Sequence, residues 1–170
     1  VIFKKKIELD DKFLFKISQS IKNNSPKNIE LYPYAQITRN KIPDDIQNFY
    51  ISHEGYIGVF DDELKEDDYD DIEDNKIVRE TNEGWFGITD KYWLAALIPD
   101  QSNLHSFGMR YLSGQGDRYQ TDILGAGQTL APGQTISTTT SLFAGAKKVT
   151  LLDKYADELG IKNFDLAIDF

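Results

Sequence analysis

The sequence predicts a mainly β protein, a β-sandwich that carries an α-helix near its C-terminal end. Short runs in which apolar and polar residues alternate recur along most of the chain, and this period of two is typical of strands with one buried face. Clusters of Gly, Pro, Asn and Asp separate the runs. After Gly145 the apolar residues recur at helical spacing instead. We therefore expect a β-sandwich over residues 1–145, followed in the same domain by the helix and a linker over residues 146–170.

The composition narrows the possible functions. A chain of 170 residues is long enough for one domain with a sizeable core. It has no cysteine, which excludes a disulfide and a thiolate metal site. Its 28 acidic and 19 basic residues give a formal charge of −9. This charge argues against nucleic acids and anionic membrane surfaces as primary partners, because both attract basic patches. The chain starts at Val1 without a signal peptide, so we expect it to be a piece of a longer polypeptide.

Three strands are predicted in the first 40 residues. The first covers Val1–Leu9, and the second covers Phe13–Ile21, where Phe and Ile residues share one face. The third covers Ile29–Thr38, but Pro33 cannot donate to a β-ladder and marks an edge or bulge in its middle. A looser connection around Pro43 follows.

A strongly acidic run, Asp61–Asp74, comes after a short strand predicted over His53–Phe60. Acidic runs are usually solvated, so we expect a hairpin or loop, although Leu64, Tyr69 and Ile72 interrupt the charges. The run lacks the glycine and the D-x-D-x-D-G spacing of an EF-hand loop, and no calcium site is predicted.

The segment Gly84–Asp100 is the most apolar part of the chain and contains both tryptophans. Tyr92–Ile98 is apolar without alternation, which indicates a strand buried on both faces, or the central layer between packed sheets. Core packing is the favoured role for Trp85 and Trp93, because aromatic side chains bury large areas. An aromatic platform for a sugar or a peptide, which would also use Tyr92, stays open.

The remaining strands and the helix complete the prediction. Strands are expected over Leu104–Leu112, Tyr119–Leu124 and Thr135–Phe143, with turns at residues 113–117 and 125–133. The apolar face of the helix consists of Val149, Leu152, Ala156 and Leu159. Gly160 stands where a glycine commonly ends a helix. From Phe164 to Phe170 apolar and polar residues alternate again, as in a strand.

No catalytic, metal-binding or cofactor-binding residue is predicted. His53 and His105 lie far apart in the sequence, and we expect structural or surface roles for both. The glycine pairs at 114–116 and 125–127 lack the G-x-G-x-x-G continuation and the strand-to-helix context of a phosphate loop. The absence of a recognisable active site favours a binding or positioning role over catalysis.

Long segments of the chain resemble one protein family. They are LYPYAQITR (Leu31–Arg39), HEGYIGVFDDELKEDDYDD (His53–Asp71), GWFGITDKYWLAALIPDQ (Gly84–Gln101) and LFAGAKKVTLLDKYADELGIKNFDLAIDF (Leu142–Phe170). In this order they resemble the large periplasmic domain of the YidC family of bacterial membrane protein insertases. The resemblance implies a β-supersandwich similar to galactose-mutarotase-like folds, with this chain as its C-terminal part. It also implies a location in the periplasm, at the bacterial inner membrane.

The same resemblance implies a function that is not catalytic. Members of the family insert and fold inner-membrane proteins, alone or with the Sec translocon, through a membrane core that this chain lacks. We therefore expect a domain that acts by protein contacts, for example with SecDF through about Gln36–Glu83. It would meet nascent inner-membrane proteins through the full-length protein, and the membrane only through transmembrane segments outside this chain. The predicted partner-binding residues of the helix are Val149, Leu152, Tyr155 and Leu159.

Two other functions and one structural alternative stay open. A carbohydrate-binding or mutarotase-like enzyme would need an imidazole acid or base, for which His53 and His105 are the only candidates. A peptide-binding cleft would use Trp85, Tyr92 or Trp93 on an exposed surface. The helix could equally be a simple cap on the sandwich.

Overall fold

The computed structural model describes residues 1–42, 52–114 and 116–168, so the predicted connection around Pro43 lies outside the described residues. The strands are β1 Ile2–Leu9, β2 Leu14–Lys22, β3 Ile29–Leu31, β4 Tyr34–Asn40, β5 Gly55–Phe60, β6 Glu63–Asp67, β7 Ile77–Thr81, β8 Gly84–Thr89, β9 Trp93–Ile98, β10 His105–Leu112, β11 Arg118–Gly125, β12 Gln128–Leu130 and β13 Thr135–Ala146. The helices are α1 Tyr69–Asp74, α2 Val149–Leu159 and a 3₁₀ helix, Phe164–Ala167.

Two antiparallel sheets pack face to face, and a small pair of strands accompanies them. The large sheet has seven strands in the order β1-β2-β13-β9-β8-β5-β6, and the four-stranded sheet has the order β4-β11-β10-β7. β12 pairs with β3. β4, the edge strand of the four-stranded sheet, contacts β9 near the middle of the large sheet. The large sheet therefore extends beyond the four-stranded sheet on this side, with β13, β2 and β1. The expected β-sandwich with a C-terminal helix is therefore confirmed.

The centre of the large sheet is covered on both faces. Every residue of β5 and β8 is buried, with the four-stranded sheet on one side and α2 and the 3₁₀ helix on the other. This confirms that Gly84–Asp100 forms a central layer, with one correction. The segment folds back on itself as β8 and β9, and Tyr92 and Trp93 at the turn are exposed.

Close approach of β8 and β9 depends on Gly87. A β-carbon on Gly87 would lie 1.9 Å from the carbonyl oxygen of Ala95 on the paired strand. Only glycine allows this backbone contact without a shift of the sheet.

Aromatic rings fill both cores. Between the sheets, Phe107 lies edge-on to Phe60 and to Phe86, with ring centroids 5.2 and 6.1 Å away. On the helix side, Phe164 lies edge-on to Trp85 at 5.2 Å and to Phe143 at 5.5 Å. Such pairs add to the burial of apolar area. The 3₁₀ helix is thereby held against the centre of the large sheet.

The acidic run Asp61–Asp74 forms more regular structure than expected. Its first part pairs with β5 as the edge strand β6, in agreement with the expected hairpin. Its second part is the helix α1, where the backbone N–H of Asp68 donates to the Asp71 carboxylate at 3.2 Å. Tyr69 and Ile72 are both buried. Their separation of three residues is a helical signal that the surrounding charges obscure.

Three smaller features also differ from or refine the prediction. Pro33 separates β3 from β4, so the third predicted strand is two strands. β12 occupies part of the predicted turn at residues 125–133. The alternation after Phe164 forms a 3₁₀ helix instead of a strand, because Phe164 and Ala167, three residues apart, both point into the core.

Helix α2 ends as predicted at Gly160, whose φ of 63° is left-handed.

Candidate functional site

An open cleft lies where the four-stranded sheet meets the large sheet. Its volume is about 310 Å³. Its lining comes from β4, the end of β8 and the turn after it, β9 and the end of β13: Ile37, Thr38, Arg39, Ile88, Asp90, Trp93, Leu94, Ala95, Ala144 and Gly145. Ala95 on β9 and Ala144 on β13 have small side chains, and larger side chains at these positions would fill the cleft. The cleft therefore depends on the sequence of these two strands.

An ion pair spans the cleft between the two sheets. The guanidinium of Arg39, on β4, donates to the carboxylate of Asp90, just after β8. About a quarter of the Arg39 side chain and a third of the Asp90 side chain are exposed. Burial by itself lowers the pKa of Arg39, but the bond to Asp90 outweighs it and holds the pKa above its usual value. The pair therefore presents a fixed cation and a fixed anion beside the cleft.

The three predicted cleft aromatics occupy different environments. Trp93 lines the cleft and is 58% exposed. Tyr92 is also exposed, at the turn before β9, but does not line the cleft. Trp85 is fully buried on the helix side, where its indole N–H donates to the carbonyl oxygen of Asn163 at 3.4 Å. Core packing thus holds for Trp85 and is wrong for Trp93.

Arg39 and Asp90 are residues that the sequence analysis did not single out. The signal was present for Arg39, because Ala35, Ile37 and Arg39 are the half-buried positions of a strand that alternates. The charged groups of Arg39 and Asp90 lie beside the indole of Trp93. Together they suit a ligand that has both polar and apolar parts, such as an extended peptide or a sugar.

A group of tyrosines stands behind Arg39. Helix α1 places the ring of Tyr69 4.7 Å from that of Tyr119 and 5.8 Å from that of Tyr56. Burial raises the pKa of Tyr69 to about 12, so its hydroxyl stays neutral at physiological pH. We interpret this group as a packed wall of the sandwich and not as acid–base machinery.

The opposite edge of the sandwich is closed by a second ion pair. Arg79 on β7 donates to both carboxylate oxygens of Asp67 on β6, at 2.6 and 2.9 Å. Its guanidinium carbon also lies 5.4 Å from the centre of the Phe60 ring. This pair joins the edge strands of the two sheets and closes the sandwich along this edge, whereas a cleft stays open beside the Arg39–Asp90 pair.

The two histidines do not meet. His53 lies before β5, where its Nε2 contacts the carbonyl oxygen of Tyr56 at 2.8 Å. His105 lies near the other end of β5. It pairs with Thr81 on β7, and the Thr81 hydroxyl donates to Asp61, the residue that follows β5. The six residues of β5 span roughly 17 Å, and neither histidine lines the cleft. Burial lowers the pKa of His105. The two imidazoles therefore cannot act together, and the alternative in which one of them acts with a carboxylate stays a prediction.

Helix α2 packs on the large sheet with a face different from the predicted one. Leu151, Leu152 and Tyr155 are buried, whereas Val149 and Leu159 are 41% and 51% exposed. Of the four predicted partner-binding residues, Leu152 and Tyr155 are therefore occupied within the domain. Partner binding by Val149 and Leu159 stays a prediction.

The described part of the chain has neither a group of metal ligands nor a membrane-spanning helix. There, no three His, Asp or Glu residues are grouped closely enough to hold a metal ion. No helix within residues 1–42, 52–114 and 116–168 has the length and apolar character needed to cross a membrane.

Comparison with known protein families identifies the fold seen here. The family model described as the YidC periplasmic domain matches residues 1–170. The chain belongs to the YidC periplasmic domain family. As a YidC periplasmic domain it is located in the periplasm, as part of an inner-membrane protein. The resemblance seen in the sequence motifs is thereby confirmed.

Curated relatives agree with this assignment. The membrane protein insertase YidC of Rickettsia conorii is 46% identical over 167 residues, and those of Rickettsia canadensis and Rickettsia prowazekii are each 45% identical over 167 residues. Each match covers 96% of this chain but 30% of the relative. This YidC periplasmic domain thus spans less than a third of the length of these insertases.

A solved structure shares the fold. The X-ray structure of a galactose mutarotase related enzyme from Lactobacillus acidophilus matches with a TM-score of 0.56 and 15% sequence identity, over 86% of this chain and 63% of that chain. The likeness confirms the galactose-mutarotase-like sandwich expected for a YidC periplasmic domain. At this identity it concerns the fold alone.

Proposed function

We propose that this chain is a non-catalytic docking module, which assists the insertion and folding of inner-membrane proteins through contacts with Sec translocon components such as SecDF. The observation that carries the proposal is the match of the whole chain to the periplasmic domain of an insertase family. The clients of the parent protein would be nascent inner-membrane proteins, which this domain would meet only as part of the full-length protein.

The acidic edge formed by β6 and α1 is one surface suited to docking. It lies within Gln36–Glu83, the segment for which a SecDF contact is expected. Its acidic side chains are mostly exposed: Glu63, Glu66, Asp67, Asp68, Asp70, Asp71, Glu73 and Asp74. Since Tyr69 and Ile72 anchor α1 from beneath, the carboxylates are held on a fixed support, and a partner with a basic surface would be recognised by charge.

The outer face of α2 is a second such surface. Three buried side chains hold the helix to the large sheet, while Val149 and Leu159 remain exposed near its two ends. A helix fixed in this way would transmit the orientation of the sandwich to any segment that follows it. This supports a positioning role in addition to simple capping of the sheet.

Site-specific photocrosslinking in the full-length insertase tests the proposal. A photoreactive residue is placed at Asp70 on the acidic edge, and at Val149 and Leu159 on α2. Leu104 serves as the control position, because it is 51% exposed but lies outside both surfaces. We expect ultraviolet-dependent adducts with SecDF from Asp70, and with translocon or client proteins from the α2 positions. Equal adduct yields at all four positions, or none at any, would contradict the proposal.

A second candidate function is capture of an extended peptide or a sugar in the cleft, favoured by the position of Trp93 beside the Arg39–Asp90 pair. Trp93 is exposed and Trp85 is buried, so ligand-dependent changes in tryptophan emission should come from Trp93. We expect saturable changes with an unfolded peptide or a monosaccharide, lost in Trp93→Phe. A wild-type emission spectrum that no such ligand alters would remove this candidate.

A further inference from the structure

The charge of the molecule is divided between the two edges of the large sheet. The first 28 residues contain seven lysines and three acidic residues, in a chain whose total charge is −9. These residues form β1 and β2, at one end of the seven-stranded order, and the acidic edge containing β6 lies at the other end. Six strand spacings of about 4.8 Å separate the two by roughly 29 Å. The molecule therefore has a basic end and an acidic end.

Strand register gathers most of the lysines of β1 and β2 on one face. Residues that pair across neighbouring strands lie on the same face of the sheet. One face of β1 and β2 therefore carries three such pairs: Lys4 with Ser20, Lys6 with Ser18 and Glu8 with Lys16. This face is on the α2 side, because Leu14, which belongs to it, packs under the helix. We name this surface the lysine face. It consists of Ile2, Lys4, Lys6, Glu8, Lys16, Ser18, Ser20, Lys22, Thr135, Ser137, Thr139 and Ser141. Its composition is basic and hydroxyl-rich.

The other side of the same strands is mostly apolar. There, Phe3 pairs with Ile21 and Ile7 with Ile17. Lys5, which pairs with Gln19, also lies on this side, so four of the five lysines of β1 and β2 are on the lysine face.

The lysine face is poorly neutralised. Lys6 is paired with Glu8 at 2.8 Å, but no carboxylate within ion-pair distance of Lys4, Lys16 or Lys22 is found among the residues that the structure describes. All three are exposed. They are therefore available to an anionic surface.

The basic surface continues to the start of α2. There, Lys12, Lys148 and Lys154 border a depression of about 440 Å³, together with Phe13, Leu151, Thr150 and Asp11. The ammonium of Lys148 lies 6.0 Å from the centre of the Phe13 ring. Of the nearby acids, Asp10 is engaged by the hydroxyl of Tyr155 and by the backbone amides of Lys12 and Leu14. Lys12 and Lys154 contact Asp11 and Glu158 at 3.8 and 3.7 Å, so it is Lys148 that extends the positive charge of the lysine face to the start of α2.

We propose that the lysine face lies against the anionic phospholipid headgroups of the inner membrane, with the acidic edge directed away from them. The parent protein is an inner-membrane protein, so this domain is confined near such a surface. Lysine ammonium groups attract phosphates, and the Ser and Thr hydroxyls between them can donate hydrogen bonds to phosphate oxygens. The polar character of the face fits contact at headgroup level without insertion into the hydrocarbon layer.

The net charge of −9 does not exclude this contact. Charges separated by more than about 8 Å are largely screened at physiological ionic strength, so a membrane surface interacts with the nearest face and not with the sum over the molecule. The expectation drawn from composition treated the charge as evenly spread. The fold separates the positive charges of the lysine face from the negative charges of the acidic edge by more than three screening lengths. For the lysine face, this separation reverses the expectation that the domain avoids anionic membrane surfaces.

Vesicle binding by the chain itself tests the proposal. Wild type is compared with K4Q/K16Q/K22Q at low ionic strength, on phosphatidylglycerol-containing and pure phosphatidylcholine vesicles. The control K41Q/K76Q/K91Q removes the same number of charges from exposed positions outside the lysine face. Since each lysine near an anionic surface contributes a factor of about five, the first variant should lose about 100-fold in partitioning, and the control much less. K4R/K16R/K22R should retain binding, and circular dichroism verifies folding.

Several results would overturn the proposal. They are equal binding of wild type to both vesicle types, unchanged binding of folded K4Q/K16Q/K22Q, and equal losses in the two glutamine variants. Binding of polyglutamate in place of vesicles would assign the face to an acidic protein. Self-association that K4Q/K16Q/K22Q abolishes, without vesicle binding, would assign it to the acidic edge of a second copy. Photocrosslinking to SecDF is read out separately, so either proposal can fail while the other holds.

Discussion

Arg39 and Asp90 join the two sheets at the mouth of the cleft, where the guanidinium on β4 donates to the carboxylate that follows β8. Both side chains are only partly exposed, so the pair is less screened than a surface salt bridge. It sits beside the exposed Trp93. The same two residues therefore contribute to stability and define the polarity of the cleft.

Removal of the Asp90 charge should destabilise the domain. Asp90→Asn leaves the partly buried guanidinium of Arg39 without its carboxylate, and we expect a loss of about 1–2 kcal/mol in the free energy of unfolding. The control is Lys154→Gln, which breaks the exposed Lys154–Glu158 contact at 3.7 Å and should cost less than about 0.5 kcal/mol. Urea unfolding at neutral pH measures both. Equal effects would mean that the Arg39–Asp90 pair is no stronger than a surface contact.

The stability of the edge where β6 meets β7 should depend on the bidentate hydrogen bonding of Arg79 to Asp67. Arg79→Met removes both hydrogen bonds to Asp67 and leaves a carboxylate that is only 13% exposed, so we expect a loss of about 2–4 kcal/mol. Arg79→Lys should recover part of this loss, because an ammonium cannot reproduce the paired bonds.

Lys65→Met is the matched control for Arg79, because Lys65 pairs with Glu63 on the same edge strand and both side chains are substantially exposed. Its effect should stay within about 0.5 kcal/mol. If chemical denaturation gives the two methionine variants the same stability, the link between β6 and β7 contributes nothing beyond an ordinary surface pair.

The 3₁₀ helix should contribute to stability mainly through Phe164, the larger of its two buried side chains. Phe164 is fully buried against Trp85 and Phe143, so Phe164→Ala should cost about 3–5 kcal/mol. Leu166→Ala, two residues away and 36% exposed, should cost at most about 1 kcal/mol. Urea unfolding gives both values, and the emission of Trp85 should shift to the red only in the first variant. An unshifted spectrum in folded Phe164→Ala would refute the proposed contact.

Acid should weaken the link between the β1–β2 turn and α2. Burial alone raises the pKa of Asp10, but hydrogen bonds from Tyr155, Leu14 and Lys12 outweigh it and lower the pKa below its usual value. A lowered pKa means that this stabilisation is present above pH about 4 and is lost as the pH falls through the folded-state pKa. Asp10→Asn should therefore destabilise the domain at neutral pH, by about 1 kcal/mol for the lost hydrogen bonding, and the difference from wild type should shrink in acid.

Asp11→Asn is the control for Asp10, because the Asp11 side chain is 87% exposed and has only a 3.8 Å contact with Lys12. Thermal unfolding from pH 7 down to about pH 2 should show a pH-dependent difference for Asp10→Asn and almost none for Asp11→Asn. A difference for Asp10→Asn that persists unchanged in acid would show that the carboxylate charge is not the cause.

Local sequence alone determined most of the strands and the end of the helix. Alternation identified β2 and β4, Pro33 marked the break before β4, and Gly160 marked the end of α2. These features depend on backbone chemistry and on whether one face of a segment is buried, and both leave a trace within about ten residues. The family motifs were equally local, which is why the resemblance could be read before the fold was known.

Only the tertiary structure decided which apolar residues are buried and where the charges gather. Trp85 and Trp93 lie in similarly apolar sequence, but α2 and the 3₁₀ helix cover Trp85, whereas Trp93 lies at the open edge beside β4. Leu151 is buried in place of Val149 because the direction of packing fixes the rotation of α2. The lysine face and the acidic edge separate because β1 and β6, distant in sequence, become opposite ends of one sheet. Burial and electric field depend on neighbours brought from elsewhere in the chain, and no local pattern contains them.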